Sequence, residues 1–417
     1  MTTKAQKIKR VNKDSMLVSL DIGKTSHFGY FRAPDGQDIR PFEFKNNRDG
    51  FLQFWHRLCR FKNQHGLTQV MVGFESTGPY AEPLIHFIKQ KPVQLVQINP
   101  THSKRLKELT GNSPNKTDRK DPKVIADVMM LGHYLTVVLP QGAAAQLRRL
   151  THARERAIKQ RTATLNQLQD LVFIIFPEFC GLFKSFSCKT SLHLLSHYPT
   201  PEALGTLDLQ QLSRTMRRVS RGRFNHQHAQ RLLQAANASV GIREASQSIT
   251  EEIRHLVEQL HTLDGFVQQL EQKMHLYLDQ IPFSTLLLSM PGIGLITVAG
   301  LIGEVGDFRN FATRSEIIKM AGLDLFEISS GKHQGRRHIS KRGRPLMRKL
   351  LYFAAINTVK KNGIMHAPYT RMVERGMPKI KALVAISRKL LAVMFALVRD
   401  QSMFIKDYNA KSYKLAA

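Results

Sequence analysis

Several things this chain has little of narrow its reading at once. Among 417 residues there are only three cysteines, Cys59, Cys180 and Cys188. Their odd number and scattered spacing exclude a disulfide framework and a zinc motif, and they suit a reducing, cytoplasmic compartment. No run approaches the ~20 uninterrupted apolar residues of a membrane-spanning helix. The stretch from Met1 to Lys13 is basic and polar, without the apolar centre of a secretory signal. A Walker-type phosphate loop is also missing. One tryptophan against 23 phenylalanines points to aliphatic and phenylalanine-based cores. The scarcest property is negative charge: 32 Asp plus Glu face 62 Lys plus Arg, for a formal net charge of +30 and a pI near 10.3. So large an excess, spread over the whole chain, predicts a nucleic-acid partner rather than a membrane.

Against that background four carboxylates organise the first third. Asp21 ends the apolar run Met16–Leu20, and Glu75 ends Val70–Phe74. Both runs are β-branched or alternating, so both are strand candidates. Asp118 and Asp121 lie in Lys-Thr-Asp-Arg-Lys-Asp, which reads as the first turn of a helix with both acids on one face. Singly, each acid is explained as a strand-end cap or a favourable first-turn charge. Jointly, on a cationic chain, they point to a divalent ion. Hard oxygen donors without a competing Cys/His set select Mg²⁺ or Mn²⁺.

At this length two or three domains are expected. Residues 1–14 read as a basic tail. From 15 to 140 the pattern is three antiparallel strands, then alternating helices and strands. The strands are Met16–Ile22, His27–Arg32 and Arg40–Phe44, followed by a helix over 51–63, the Glu75 strand, and a helix from Tyr80 to Lys89. A strand over Val93–Asn99, a basic segment and the Asp118 helix, running to about Tyr134, complete a mixed α/β domain. In such a sheet Asp21 and Glu75 are neighbours. Residues 141–284 are helical. Ile249, Ile253, Leu256, Leu260, Leu263, Val267, Leu270, Met274 and Tyr277 alternate steps of four and three, a coiled-coil spacing that suits either a hairpin with Gln146–Phe176 or a second subunit. Between the arms, about 177–245, a smaller helical unit carries the basic run Arg214–Arg223.

From 285 to 417 the chain reads as mainly helical. Pro291-Gly292-Ile293-Gly294 before the apolar stretch Ile296–Glu304 resembles a phosphate-holding hairpin, which nominates Gly292 and Gly294. Residues 329–349 are densely basic. Lys332, Arg336, Arg337, Lys341, Arg342, Arg344 and Arg348, interleaved with glycines, are candidate nucleic-acid contacts.

Leu20-Asp21-Ile22-Gly23-Lys24, Phe74-Glu75-Ser76-Thr77-Gly78, Ile98-Asn99-Pro100 and Lys116-Thr117-Asp118 with Asp121 resemble the RuvC-like domain of the insertion-sequence-110 (DEDD) transposases. Met290-Pro291-Gly292-Ile293-Gly294, Ala321-Gly322-Leu323, Ser330-Gly331 and Ser340-Lys341-Arg342-Gly343 resemble that family's C-terminal domain. The resemblance implies an α/β RuvC-like (RNase H-like) N-terminal domain, a helical coiled-coil middle and a mainly α C-terminal transposase domain. It further implies recombination of donor and target DNA, Mg²⁺ held by Asp21, Glu75, Asp118 and Asp121, and a serine nucleophile that maps onto Ser330. The residues alone leave Ser329 equally open. A structured non-coding bridge RNA would choose the DNA sites, and a homo-oligomer, dimer or tetramer through the coiled coil, would hold them at the bacterial nucleoid. Two rivals remain: a RuvC-like nuclease that hydrolyses structured DNA with no serine, and a non-catalytic nucleic-acid scaffold.

Overall fold

Strand β1, Ser15–Ile22, is buried along almost its whole length because neighbours flank it on both edges and helices cover both faces. The computed structural model describes residues 12–75, 78–110, 121–327, 335 and 337–406. The basic tail, apart from residues 12–14, and Asp118 therefore lie outside the described residues. The chain divides into two units, Met1–Leu139 and Pro140–Ala417. No helix among the described residues is long and apolar enough to cross a membrane.

In the first unit β1 is followed by β2 (Ser26–Arg32), β3 (Phe42–Lys45), α1 (Arg48–Gln64), β4 (Gln69–Glu75), α2 (Glu82–Lys89), β5 (Gln94–Ile98), α3 (Pro100–Thr110), α4 (Asp121–Met130) and β6 (Tyr134–Thr136). The sheet order is β3-β2-β1-β4-β5-β6. β1 runs antiparallel to β2 and parallel to β4, as β4 does to β5. This mixed α/β sheet is consistent with a RuvC-like domain. Alternation divides its residues between two cores. Met16, Val18, Leu20, Phe31, Phe44 and Phe74 meet α1 and α2, with the Phe44 and Phe54 rings stacked at 4.9 Å. Leu17, Met71, Val96 and Ile98 meet Ile125, Val128 and Met129 of α4.

Two details differ from the sequence expectation. The basic segment after Asn99 is the helix α3, started by Pro100 and by the Asn99 side chain, which accepts the Thr101 N–H at 3.0 Å. The Asp121 helix stops at Met130, and Tyr134 belongs to strand β6.

The second unit is built on two long helices, α5 (Gly142–Ile175) and, after five shorter ones, α11 (Ser246–Leu278). The five are α6 (Phe179–Leu182), α7 (Lys189–His197), α8 (Pro201–Gly205), α9 (Leu209–Ser220) and α10 (His226–Asn237). α5 and α11 pair antiparallel within the chain. Arg154 meets Glu271 at 2.7 Å and Arg161 meets Asp264 at 2.5 Å, so seven residues forward on one arm correspond to seven back on the other. The stripe Ile253, Leu256, Leu260, Val267, Leu270 and Met274 is buried. For these residues the partner is the chain's own first arm. One end of the pair (Leu147, Met274, Leu278) enters the C-terminal core. The other end (Leu168, Val172, Ile175, Ile253, Leu256) forms a separate core with α6–α10.

The C-terminal elements are α12 (Ser284–Leu288), α13 (Leu295–Val305), α14 (Arg314–Met320), the short strands β7 (Leu325–Phe326) and β8 (His338–Ile339), α15 (Pro345–Thr358), α16 (His366–Glu374) and α17 (Lys379–Arg399). Apart from Glu304, α13 is without charge on every side, and it packs within this core.

Candidate active site

Parallel pairing of β1 and β4 puts Leu20 beside Phe74, so Asp21 and Glu75 follow at adjacent ends of the two strands. Both share the sheet face of Ser19 and Gly73. That face carries α4: Ser19 Oγ donates to the Pro122 carbonyl at 2.5 Å, and a Cβ on Gly73 would lie 2.3 Å from Met129 Sδ. The first turn of α4 thus sits over the residue two before Asp21. Pro122, harmless in a first turn, is buried there with its carbonyl satisfied.

Asp21 and Glu75 are half-buried. Asp121 opens α4, and its carboxylate meets Lys107 Nζ of α3 at 2.5 Å. Among the described residues no group of three or more His, Cys, Asp or Glu side chains is close enough to hold a metal ion. What the fold brings together from the expected four is the pair Asp21 and Glu75, with Asp121 at the start of the helix on their face. All three offer hard oxygen donors of the kind Mg²⁺ accepts.

In the second unit Met290 and Ile293 are buried, and Gly292 takes φ +85°, a turn conformation that L side chains resist. Gly294 is the extended residue before α13. β7 and β8 pair antiparallel, Leu325 with Ile339 and Phe326 with His338. Ser329, Ser330, Lys332 and Arg336, in the segment joining these strands, lie outside the described residues. The base of this hairpin is fastened to α14. The Ser340 hydroxyl bonds the Asp324 carboxylate, the Lys341 N–H donates to Gly322 O at 3.0 Å, and the Arg344 N–H to Met320 O at 2.9 Å.

Residues 18–177 match a family model for DEDD transposases of the IS110 type. Residues 284–370 match the model described as transposase, IS116/IS110/IS902 family. The chain belongs to the IS110 family of transposases. Full-length similarity agrees. The transposase is 26% identical over 394 residues to an uncharacterized protein of insertion element IS116 from Streptomyces clavuligerus, covering 94% of this chain and 96% of the relative. It is 24% identical to an uncharacterized protein of insertion element IS110 from Streptomyces coelicolor, covering 93% and 95%. It is also 24% identical to the transposase for insertion sequence element IS1111A of Coxiella burnetii, covering 75% and 73%.

Of the transposase's expected nucleic-acid contacts, Lys341 and Arg342 are exposed, and Arg337 is exposed but bonded to Glu327 at 2.8 Å. Two differ from the expectation. The Arg344 guanidinium turns inward, donating to the Glu304 carbonyl at 2.6 Å and reaching its carboxylate at 3.2 Å. Arg348 donates to the carbonyls of Ala321 and Gly343, both at 3.0 Å. The Glu304 carbonyl in the last turn of α13 and the Ala321 carbonyl at the end of α14 have no partner within their helices, and these arginines donate to them. Charge density along a sequence does not report which way a side chain points.

Sequence reasoning missed Glu304. It is 3% exposed, in a helix otherwise without charge, and its Oε1 meets His152 Nε2 at 2.7 Å. Burial pushes its pKa up, but the His152 hydrogen bond and the charges of Arg344 and Arg148 outweigh that and hold it below the usual range. Arg148 can come close because Gly303 has no side chain: an added Cβ would lie 2.7 Å from the Arg148 backbone nitrogen. The signal was available: a carboxylate inside an all-apolar helix must have partners.

Proposed function

We propose that this transposase recombines DNA by a metal-dependent, serine-using phosphoryl transfer directed by a guide RNA. The observation that carries the reading is the adjacency of Asp21 and Glu75 at two parallel strand ends, on the face where α4 begins. Asp21, Glu75, Asp118 and Asp121 would hold Mg²⁺ or Mn²⁺, Asp121 first giving up Lys107. When bound, such ions stabilise charge around the phosphorus and its oxygens. The Ser330 hydroxyl attacks the phosphodiester: the Oγ–P bond forms, the P–O bond to the departing nucleotide breaks, and the serine proton ends on the departing oxygen. The phosphoserine ester conserves the bond energy, so strands rejoin without ATP. A structured non-coding RNA, bound through the chain's surplus of positive charge, selects donor and target by base pairing. A homo-oligomer, dimer or tetramer, holds the two DNAs.

The test is denaturing electrophoresis of protein incubated with Mg²⁺, its co-purified RNA and labelled donor DNA. A covalent adduct is expected from the wild type and from Ser329→Ala, and none from Ser330→Ala, Asp21→Asn or Glu75→Gln. An adduct that survives Ser330→Ala but not Ser329→Ala moves the nucleophile by one residue. Cleavage with no adduct in any lane would indicate a hydrolytic nuclease instead. Recombination in cells that tolerates alanine at both Asp21 and Glu75 would reduce the protein to a scaffold.

A further inference from the structure

At the far end of the paired arms, α9 and α10 carry a surface for which the chemistry above has no use. Residues 209–242 contain six arginines, Arg214, Arg217, Arg218, Arg221, Arg223 and Arg231, with no lysine and no acid. All six are exposed. α9 buries Leu212 and Met216, so Arg214, Arg217 and Arg218, spaced at three and four residues, share the opposite face, and Arg221 follows as the left-handed cap of the helix. Three carboxylates near this stretch are occupied elsewhere. Glu178 accepts from Ser239 Oγ at 2.7 Å and from the Val240 N–H at 3.0 Å, Glu202 pairs with Arg243 at 3.4 Å, and Asp208 caps α9 through the Gln211 N–H at 2.7 Å. Among the described residues no carboxylate lies within 4.0 Å of any of the six arginines.

Like charges three and four residues apart on a helix repel and weaken it. The C-terminal end of α9 favours cations in its last turn, which accounts for Arg217 and Arg218. It does not account for Arg214 a turn earlier, or for Arg223 and Arg231 beyond the helix. A surface that keeps mutually repelling charges and offers them no internal anion is shaped for an external one. The exclusive use of arginine favours phosphate, whose oxygens the planar guanidinium fork can engage two at a time. From Arg214 to Arg221 the row of arginines extends about 10 Å, close to the axial rise of about three phosphates along one strand of a duplex.

We propose that this arginine face docks the phosphate backbone of duplex DNA, at the end of the arms opposite the C-terminal core. The inference takes from the family only that DNA is the substrate, so its failure would leave the reading of the acids and the serine untouched. The test is fluorescence anisotropy of a labelled duplex of arbitrary sequence with the full-length protein across a potassium chloride series. Arg214→Gln, Arg217→Gln and Arg218→Gln, combined, should make the slope of log affinity against log salt shallower by about 0.9 per arginine, about 2.7 in all. The same variant should melt within a few degrees of the wild type, because the repulsion relieved offsets the helix-end interaction that Arg217 and Arg218 lose. An unchanged slope would overturn the proposal, as would a fall in melting temperature of about ten degrees or more, which would make the arginines structural. A slope that changes for an RNA hairpin but not for duplex DNA would overturn it as well.

Discussion

Replacing Glu304 by glutamine tests how the base of the β7–β8 hairpin is held. The glutamine keeps the shape of the side chain and removes its charge. Arg344, its side chain 21% accessible, and the neighbouring Arg148 then lose the carboxylate they share. Breaking a fully buried ion pair from one side costs about 3–5 kcal/mol. Arg344 retains its 2.6 Å bond to the Glu304 carbonyl and some contact with water, so about 2–3 kcal/mol is expected here. For a unit of this size that is a fall of roughly 4–12 °C in melting temperature. The double variant Glu304→Gln with Arg344→Met should recover part of the loss, giving a coupling energy of at least about 1 kcal/mol in a double-mutant cycle. The pH dependence has a definite sign. The folded-state pKa of Glu304 lies below its ordinary value of 4.5, so its contribution is present above that value and is lost as pH falls through the folded one. Glu304→Gln should flatten the acid limb of the stability curve in that window. Strictly additive single and double variants, or an unchanged acid limb, would show that Glu304 is not the counter-ion of this cluster.

Two further outcomes follow from the N-terminal unit. Gly73→Ala forces its new methyl into Met129 and should cost about 1–3 kcal/mol in urea unfolding, with partial recovery on adding Met129→Ala; indifference to the substitution would mean that α4 does not rest on this strand. Lys107→Met releases the Asp121 carboxylate and should lower by severalfold the Mn²⁺ concentration needed for half-saturation in calorimetry; an unchanged midpoint would remove Asp121 from the ligand set.

Much of the N-terminal sheet was legible because period-two alternation and continuous apolar runs are strong signals. The neighbourhood of Asp21 and Glu75 followed from strand order alone. α3 was not legible as a helix because Pro-Thr-His-Ser-Lys-Arg-Leu-Lys carries almost no apolar stripe. Its start signals, Asn99 and Pro100, were nevertheless in plain view. The end of α4 was marked by Gly132, whose φ of +71° closes the helix; apolar residues continuing to Tyr134 masked it. The heptad spacing of α11 identified its sticky stripe but not the owner of the matching one, since spacing is the same for a partner within the chain and one outside it. The inward turn of Arg344 was illegible for a related reason: its partner, Glu304, lies 40 residues away in a different helix.

The paired arms have a modular consequence. Their ion pairs repeat in step along both helices, so the pair behaves as a spacer of adjustable length. Lengthening both arms by one heptad would carry the distal helices outward by about 10 Å and leave the contacts at either end in register. Lengthening one arm alone would set every cross-arm contact out of phase. Relatives could therefore change the reach of this appendage without redesigning what it joins.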